Sequence, residues 1–339
     1  MKIAIDAMGG DRAPELVVEG AILASREYEV EIIFVGQPEA IEQELKKQKS
    51  LSDLKYDIVP ASQVIEMGEH PVEALRKKKD SSIAVATRLI KSGEAEAVVS
   101  AGSTGAAMAA AKIILGPLKG IKRPAIATIL PNHHGNVLRT SLLRKPVTVV
   151  IDAGANVDCD PLNLVEFAIM GQVYAEDILG NKPARVGLLS IGTEKTKGNK
   201  MTFETYNLLS QAPINFIGNV EGRDVVNGAV DVVVCDGFVG NILLKVTEGV
   251  ADMIMDTMRT EFNRNIITHF SAMLVKPTLR RFKKRFDYSE YGGAPLLGVK
   301  GTFIIAHGGS STNAIKNAVR VASEAVTQNV NAHIESKLK

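Results

Sequence analysis

The chain has 339 residues, 45% of them hydrophobic and 23% charged, and a formal net charge of +2. Those values describe a folded globular protein, built as one large α/β domain or as two lobes sharing a sheet, and exclude a disordered chain. The small charge gives no global field for nucleic acid, and the two cysteines, Cys159 and Cys235, supply neither a disulfide framework nor a zinc quartet.

The N-terminus opens on a short strand and a turn, without the longer apolar stretch of a signal peptide. No window supplies the roughly 20 apolar residues that span a bilayer. The expectation is a cytoplasmic protein of a reducing compartment.

Along the chain, short apolar runs recur, and each ends in a glycine-rich or aspartate-containing turn: KIAIDAMGGD, EIIFVGQ, EAVVSAGSTGA, PVTVVIDAGAN, ARVGLLSIGTE, INFIGNVEGRD, VDVVVCDGFVGN and FIIAHGGSS. These runs are too short for helices and read as buried strands. Helical stretches follow most of them, including Ala13–Glu29, Ser81–Ser92 and Asn313–Leu338. Strand, glycine turn and helix in alternation predict a three-layer α/β/α fold with a mostly parallel, doubly wound sheet. Two segments break the rhythm. Glu248–Tyr291 reads as a helical excursion from the sheet, and Pro131–Pro146 is a polar, basic connection between strand-like runs.

In doubly wound sheets ligands bind where the turns collect, at the carboxyl ends of the strands. Five turns share a glycine-rich composition here: Met8–Asp11, Ser100–Ala106, Gly192–Asn199, Asp236–Asn241 and His307–Ala314. Such turns expose N–H groups and lead into helix N-termini, where an oxyanion finds donors and a favourable dipole. Any one of them is explained as well by the backbone freedom that a tight turn needs. Five converging on one sheet edge predict an anion site.

No nucleotide signature accompanies them. G-x-G-x-x-G is absent, and Thr193 and Glu194 stand where a Walker A motif needs Lys and Ser/Thr. No G-x-S-x-G or H-E-x-x-H occurs. Cys235, on VVVCD, reads as a small buried hydrophobe. His133 and His134 read as solvated, and His307 either donates to a bound phosphate or holds its turn. Without an enzyme nucleophile, the substrate itself is expected to attack. Lys197 is a candidate phosphate cation, or one of a solvated trio with Lys195 and Lys200. Asn241 is a candidate oxyanion donor, or a helix cap.

Eight motifs in order are IDAMGGD, RKKKDSS, SAGSTGA, IDAGANVD, NVEGRD, CDGFVGN, YGGAPLLG and AHGGSS. Together, and over nearly the whole chain, they resemble the bacterial acyl-ACP:phosphate acyltransferase family known as PlsX. The resemblance implies transfer of a fatty acyl group from acyl carrier protein to inorganic phosphate, giving acyl phosphate. A membrane glycerol-3-phosphate acyltransferase then uses that product for phospholipid synthesis. It also implies an isocitrate/isopropylmalate-dehydrogenase-like fold, a homodimer, no cofactor or metal, and association with the inner face of the cell membrane.

Carried over, the family's phosphate and thioester region falls on Gly9, Gly10, Asp11, Ser103, Thr104, Gly105, Asn156, Asp236, Gly237, His307, Ser310 and Ser311, with Lys197 and Asn241 as the catalytic pair. The chain departs from the family pattern in three places. Ser103 stands where Asn is usual, HGGSS has an extra glycine, and Asn136–Lys145 is longer and more basic.

The residue chemistry suits this reaction: a thiolate leaves readily, so a phosphate cradle, an oxyanion donor and alignment suffice. Ile266, Ile267, Phe270, Met273 and Leu274 fall on one helical face, and six basic residues follow between Lys276 and Arg285. That pattern fits a membrane contact or a dimer element. Arg76–Lys79 and the Arg280–Arg285 run also fit an acidic carrier protein. Rival readings are a phosphate acetyltransferase using coenzyme A, a decarboxylating dehydrogenase of the same fold, and a non-catalytic scaffold for lipid synthesis.

Overall fold

The structure, a computed structural model, describes residues 1–48, 51, 54–133, 146–265, 268, 275–276 and 290–338. Nearly all of the membrane or dimer element expected at 266–285 and most of the 131–146 connection, His134 included, lie outside the described residues.

The first half of the chain runs β1 (Lys2–Asp6), α1 (Glu15–Tyr28), β2 (Glu31–Gly36), α2 (Pro38–Lys46), β3 (Tyr56–Pro60), α3 (Pro71–Lys77), α4 (Ser82–Ser92), β4 (Ala97–Ser100) and α5 (Thr104–Ala110). It continues with β5 (Ala125–Pro131), β6 (Val147–Ile151), α6 (Pro161–Asp177), β7 (Val186–Leu189), α7 (Lys200–Leu209), β8 (Phe216–Val220) and α8 (Gly222–Asn227). The last part is β9 (Val232–Val234), α9 (Gly237–Phe262), β10 (Ala294–Leu297), β11 (Thr302–Ile305), α10 (Thr312–Thr327) and α11 (Val330–Lys337).

Among the described residues the strands form one sheet in the order β3-β2-β1-β4-β11-β10-β5-β6-β9-β7-β8. The apolar runs are continuous because both faces are covered. On β1, Ile3 and Ile5 join a core with α1 and α10, while Ala4 joins the opposite core with α4 and α5. On β6, Val149 and Ile151 pack with Phe167 and Tyr174 of α6, while Val150 packs on the α8 and α9 side. The expected α/β/α layering and mostly parallel sheet are therefore present.

Two strands outside the eight glycine-ended runs form the centre of the sheet: β5, which the sequence marked only as the strand-like run before Pro131, and β10. β10 is antiparallel to both β11 and β5, and β5 is antiparallel to β6. The β1 group and the β6 group consequently run in opposite directions. Ile305, at the end of β11, is level with Ala294, and through the β10–β5 register with Thr128 and Val150. Ile151, at the end of β6, is one rung away. The five glycine turns thus do not gather on one sheet edge; two sets meet head-on across β10 and β5.

The helical boundaries also differ from those expected. Asn313–Leu338 is two helices, α10 and α11, divided by Asn329 in the left-handed region. The excursion begins not at Glu248 but at Gly237, directly after β9, because Asp236 caps the helix there by accepting from the Val239 N–H at 2.8 Å.

Candidate active site

The head-on arrangement leaves a cavity of about 400 Å³ between the two sets of turns. Its floor is Ile126 and Thr128 of β5 with Ile305 of β11, and one wall is Asn241, Leu244 and Ala251 of α9. Thr104, His307 and Ser310 enter from the β1 group, and Gly154 from the β6 group. Most of the lining is apolar, with a few polar groups at fixed points, as in small-molecule sites.

In the β1 group, Asp6 ends its strand buried, and one of its oxygens accepts from the Ser100 hydroxyl at 2.6 Å. The other oxygen is buried without a partner. Burial pushes the Asp6 carboxyl above the usual carboxylate range, against hydrogen bonds from Ser100 and Ser82. A Cβ at Gly9 would stand 2.6 Å from Asp6 Oδ2 and 2.7 Å from the Gly102 nitrogen, so the two turns touch only because residue 9 is glycine. Gly10 adopts φ +125°, and the Asp11 N–H donates to the Gly308 carbonyl at 2.9 Å, tying the first turn to the last.

Ser103 and Ser311 are helix caps, accepting from the N–H groups of Ala106 and Ala314. Gly105 admits Pro71, which a Cβ would meet at 2.5 Å. Of AHGGSS, therefore, Ser311 holds the helix, while Ser310 lines the cavity together with Ala306 and His307. The Ser310 hydroxyl is buried without a hydrogen-bond partner. His307 Nδ1 accepts from the Gly309 N–H at 3.1 Å, which holds the turn.

In the β6 group the polar atoms are spent internally. Asp152, fully buried, accepts from the N–H groups of Ile126, Gly154, Ala155 and Asn156 and from the Asn156 amide. Burial raises its carboxyl above the usual range, opposed by these donors. Asn156 also donates to the Pro124 carbonyl, and its own carbonyl accepts from Gly237. A Cβ on Gly237 would lie 2.7 Å from the Asn156 oxygen, and one on Gly240 would lie 1.9 Å from the Asp152 oxygen. These two glycines let α9 sit directly on the turn. Asn241, in its second turn and not a cap, is carried against Gly154.

The structure thus brings Asn241, Thr104, His307 and Ser310 to one cavity, assigns turn-holding roles to Gly9, Ser103, Gly105, Asn156, Asp236, Gly237 and Ser311, and leaves Asp11 beside Gly308. Lys197 is not in that cavity. It sits on the β7 turn, beyond β9 from β6, with its N–H bonded to the Glu194 carbonyl and its own carbonyl accepting from Ser190. Its loop borders a second, smaller cavity of about 300 Å³ lined by Ser190, Asn199, Thr202 and Asp236. Lys245 and Glu248, neither named as a site residue from sequence, line the main cavity with Tyr291, the first residue of the YGGAPLLG motif. The signal for Lys245 was its spacing, four residues after Asn241 on one helical face.

Cys235 is a buried hydrophobe, as expected, its thiol pushed well up by burial; Cys159 is raised to about 11, also by burial. Among the described residues no three His, Cys, Asp or Glu side chains are grouped to hold a metal, and no helix is long and apolar enough to cross a membrane.

The architecture is a three-layer α/β/α fold with solved counterparts. A phosphotransacetylase from Streptococcus pyogenes superposes with a TM-score of 0.64 at 19% identity, covering 96% of this chain and 94% of that one. A 4-hydroxythreonine-4-phosphate dehydrogenase from Klebsiella pneumoniae gives 0.54 at 12% identity, covering 96% and 99%. At those identities the likeness shows the fold alone.

Sequence relatives narrow the class. A protein of Pelotomaculum thermopropionicum named phosphate acyltransferase is 52% identical over 339 residues, all of this chain and 95% of the relative. One of Halothermothrix orenii with the same name is 51% identical over 341 residues, covering 100% and 98%. With residues 1–333 also matching the family described as Fatty acid synthesis protein, the chain belongs to the phosphate acyltransferase family and is an acyl-transferring enzyme.

Proposed function

We propose that the enzyme transfers a fatty acyl group from acyl carrier protein to orthophosphate, supplying acyl phosphate for phospholipid synthesis. The observation that carries this reading is the buried, unpartnered Ser310 hydroxyl in a largely apolar cavity that Asn241 also lines. An unsatisfied buried hydroxyl is costly, and a phosphate oxygen satisfies it.

A phosphate oxygen attacks the thioester carbonyl, and the carbonyl electrons move to oxygen. Collapse of the tetrahedral intermediate expels the carrier thiolate, which takes a proton from solvent. Ser310, Thr104 and His307 hold the phosphate, and the Asn241 amide donates to the oxyanion. Lys197 is exposed, and its ammonium makes no hydrogen bond or ion pair among the described residues. Its contribution requires the 192–199 loop to close on the bound donor, so it acts on turnover.

Phosphate-dependent release of carrier thiol by the purified protein tests the reaction. Equal or faster turnover with acyl-coenzyme A would transfer the assignment to a phosphate acetyltransferase-like activity.

The proposal extends to assembly and location. Ile242, Val246, Val250 and Met253 form an exposed apolar stripe on α9, which suits a second copy of the chain. The apolar and basic residues of 266–285 suit an anionic membrane, where the membrane-bound acyltransferase that consumes acyl phosphate resides. Phe270→Asp with Leu274→Asp is expected to abolish sedimentation with anionic vesicles while leaving soluble activity intact. Retained sedimentation would remove the membrane role.

A further inference from the structure

We infer that Lys245 is the resident phosphate-binding cation of the central cavity and that Glu248 is its counter-ion when the cavity is empty. The inference rests on the phosphate acyltransferase reading above and deepens it. Among the described residues that line the cavity, Lys245 alone carries a permanent positive charge. Asn241 and Lys245 are four apart on α9, so their Cβ atoms are neighbours on one helical face, about 5–6 Å from each other. An ammonium there faces the same space as the oxyanion donor.

Lys245 Nζ donates to Glu248 Oε2 at 2.9 Å, and the Lys side chain is 54% exposed against 35% for the Glu. An exposed pair of this kind is weak, so a dianion entering the cavity can take the ammonium from the carboxylate. Glu248 lines the cavity as well, so its charge repels the same dianion. Lys197, the cation that the sequence pointed to, lies outside this cavity, on the loop after β7.

This pairing makes a prediction that a merely structural ion pair does not. Removing the two partners moves phosphate affinity in opposite directions. With acyl carrier substrate saturating, Lys245→Gln is expected to raise the phosphate KM about tenfold or more, the scale of one lost hydrogen bond to a charged group. Lys245→Arg is expected to restore most of it. Glu248→Gln is expected to lower the phosphate KM by about two- to fivefold, the scale of one released surface pair. The acyl-donor KM stays unchanged in all three variants.

An unmoved phosphate KM in Lys245→Gln, or shifts of the same sign in Lys245→Gln and Glu248→Gln, would overturn the assignment. If Lys245→Gln does not fold, Glu248→Gln decides alone: an unchanged or raised phosphate KM rejects the role. Failure of the wild-type enzyme to form acyl phosphate is a separate result, which rejects the reaction itself.

Discussion

The two halves of the sheet use the same turn chemistry for different ends. After β6 and β9, three polar side chains are committed to the turns: Asp152 takes five donors, Asn156 bridges to Pro124, and Asp236 caps α9. After β4 and β11, two residues cap helices, but the Ser310 hydroxyl is left buried and unpaired beside the cavity. The β6 half is a built support that carries Asn241 to the cavity wall. The β1 half keeps binding capacity in reserve. A glycine-rich turn therefore marks a ligand site only where its donors have not been used by the protein itself.

The largest effect that this contrast predicts is on stability. Asp152→Ala strands five donors, one buried and four part-buried, and a buried donor left without a partner costs roughly 1–3 kcal/mol before relaxation. Loss of cooperative unfolding in urea, or a fall in stability of several kcal/mol, is expected; a near-native midpoint would mean that the support is not rigid. Gly240→Ala drives a Cβ toward the Asp152 carbonyl oxygen and is expected to cost about 1–3 kcal/mol, with a loss of turnover as Asn241 shifts.

Next come the functional groups. Asn241→Ala is expected to lower kcat by about 10²–10³-fold in a folded protein, the scale of one oxyanion donor. Ser310→Ala is expected to raise the phosphate KM roughly tenfold with little change in melting temperature. Lys197→Ala is expected to lower kcat/KM by about 10²-fold through kcat. An unchanged kcat there would show that the loop takes no part.

A pH experiment separates the halves further. The Asp6 carboxyl is raised in the fold, so its contribution to stability is fully present below the ordinary carboxylate range and is lost as pH rises through the folded value. Asp6→Asn should therefore gain on wild type as pH rises from acid to neutral, measured by urea midpoints. A constant difference would mean that Asp6 is not desolvated. Smallest of all, Cys235→Ser should leave activity intact. Alkylation near neutral pH should be slow at both thiols, since burial holds them protonated. Rapid inactivation by iodoacetamide without unfolding would return Cys235 to the site.

The apolar runs and the glycine turns after them determined, by sequence alone, the α/β/α layers, most of the strands and the turns from which the site is built. Doubly buried strands and βα turns are local requirements, written in contiguous residues. The direction of the strands was not legible. β5 and β10 carry prolines and short apolar segments that no periodicity distinguishes, yet their antiparallel pairing turns one half of the sheet against the other and makes the cavity.

Nor could spacing tell which of many similar polar residues would be consumed in holding turns. Ser310 and Ser311 are adjacent, and only the start of α10 decides that one caps the helix while the other lines the cavity. Lys197 and Lys245 look alike in sequence. Which of them lies in the central cavity was settled by α9 packing through Gly237 and Gly240 onto the Asp152 turn, a contact between residues more than 80 positions apart, fixed by tertiary packing and not by any local pattern.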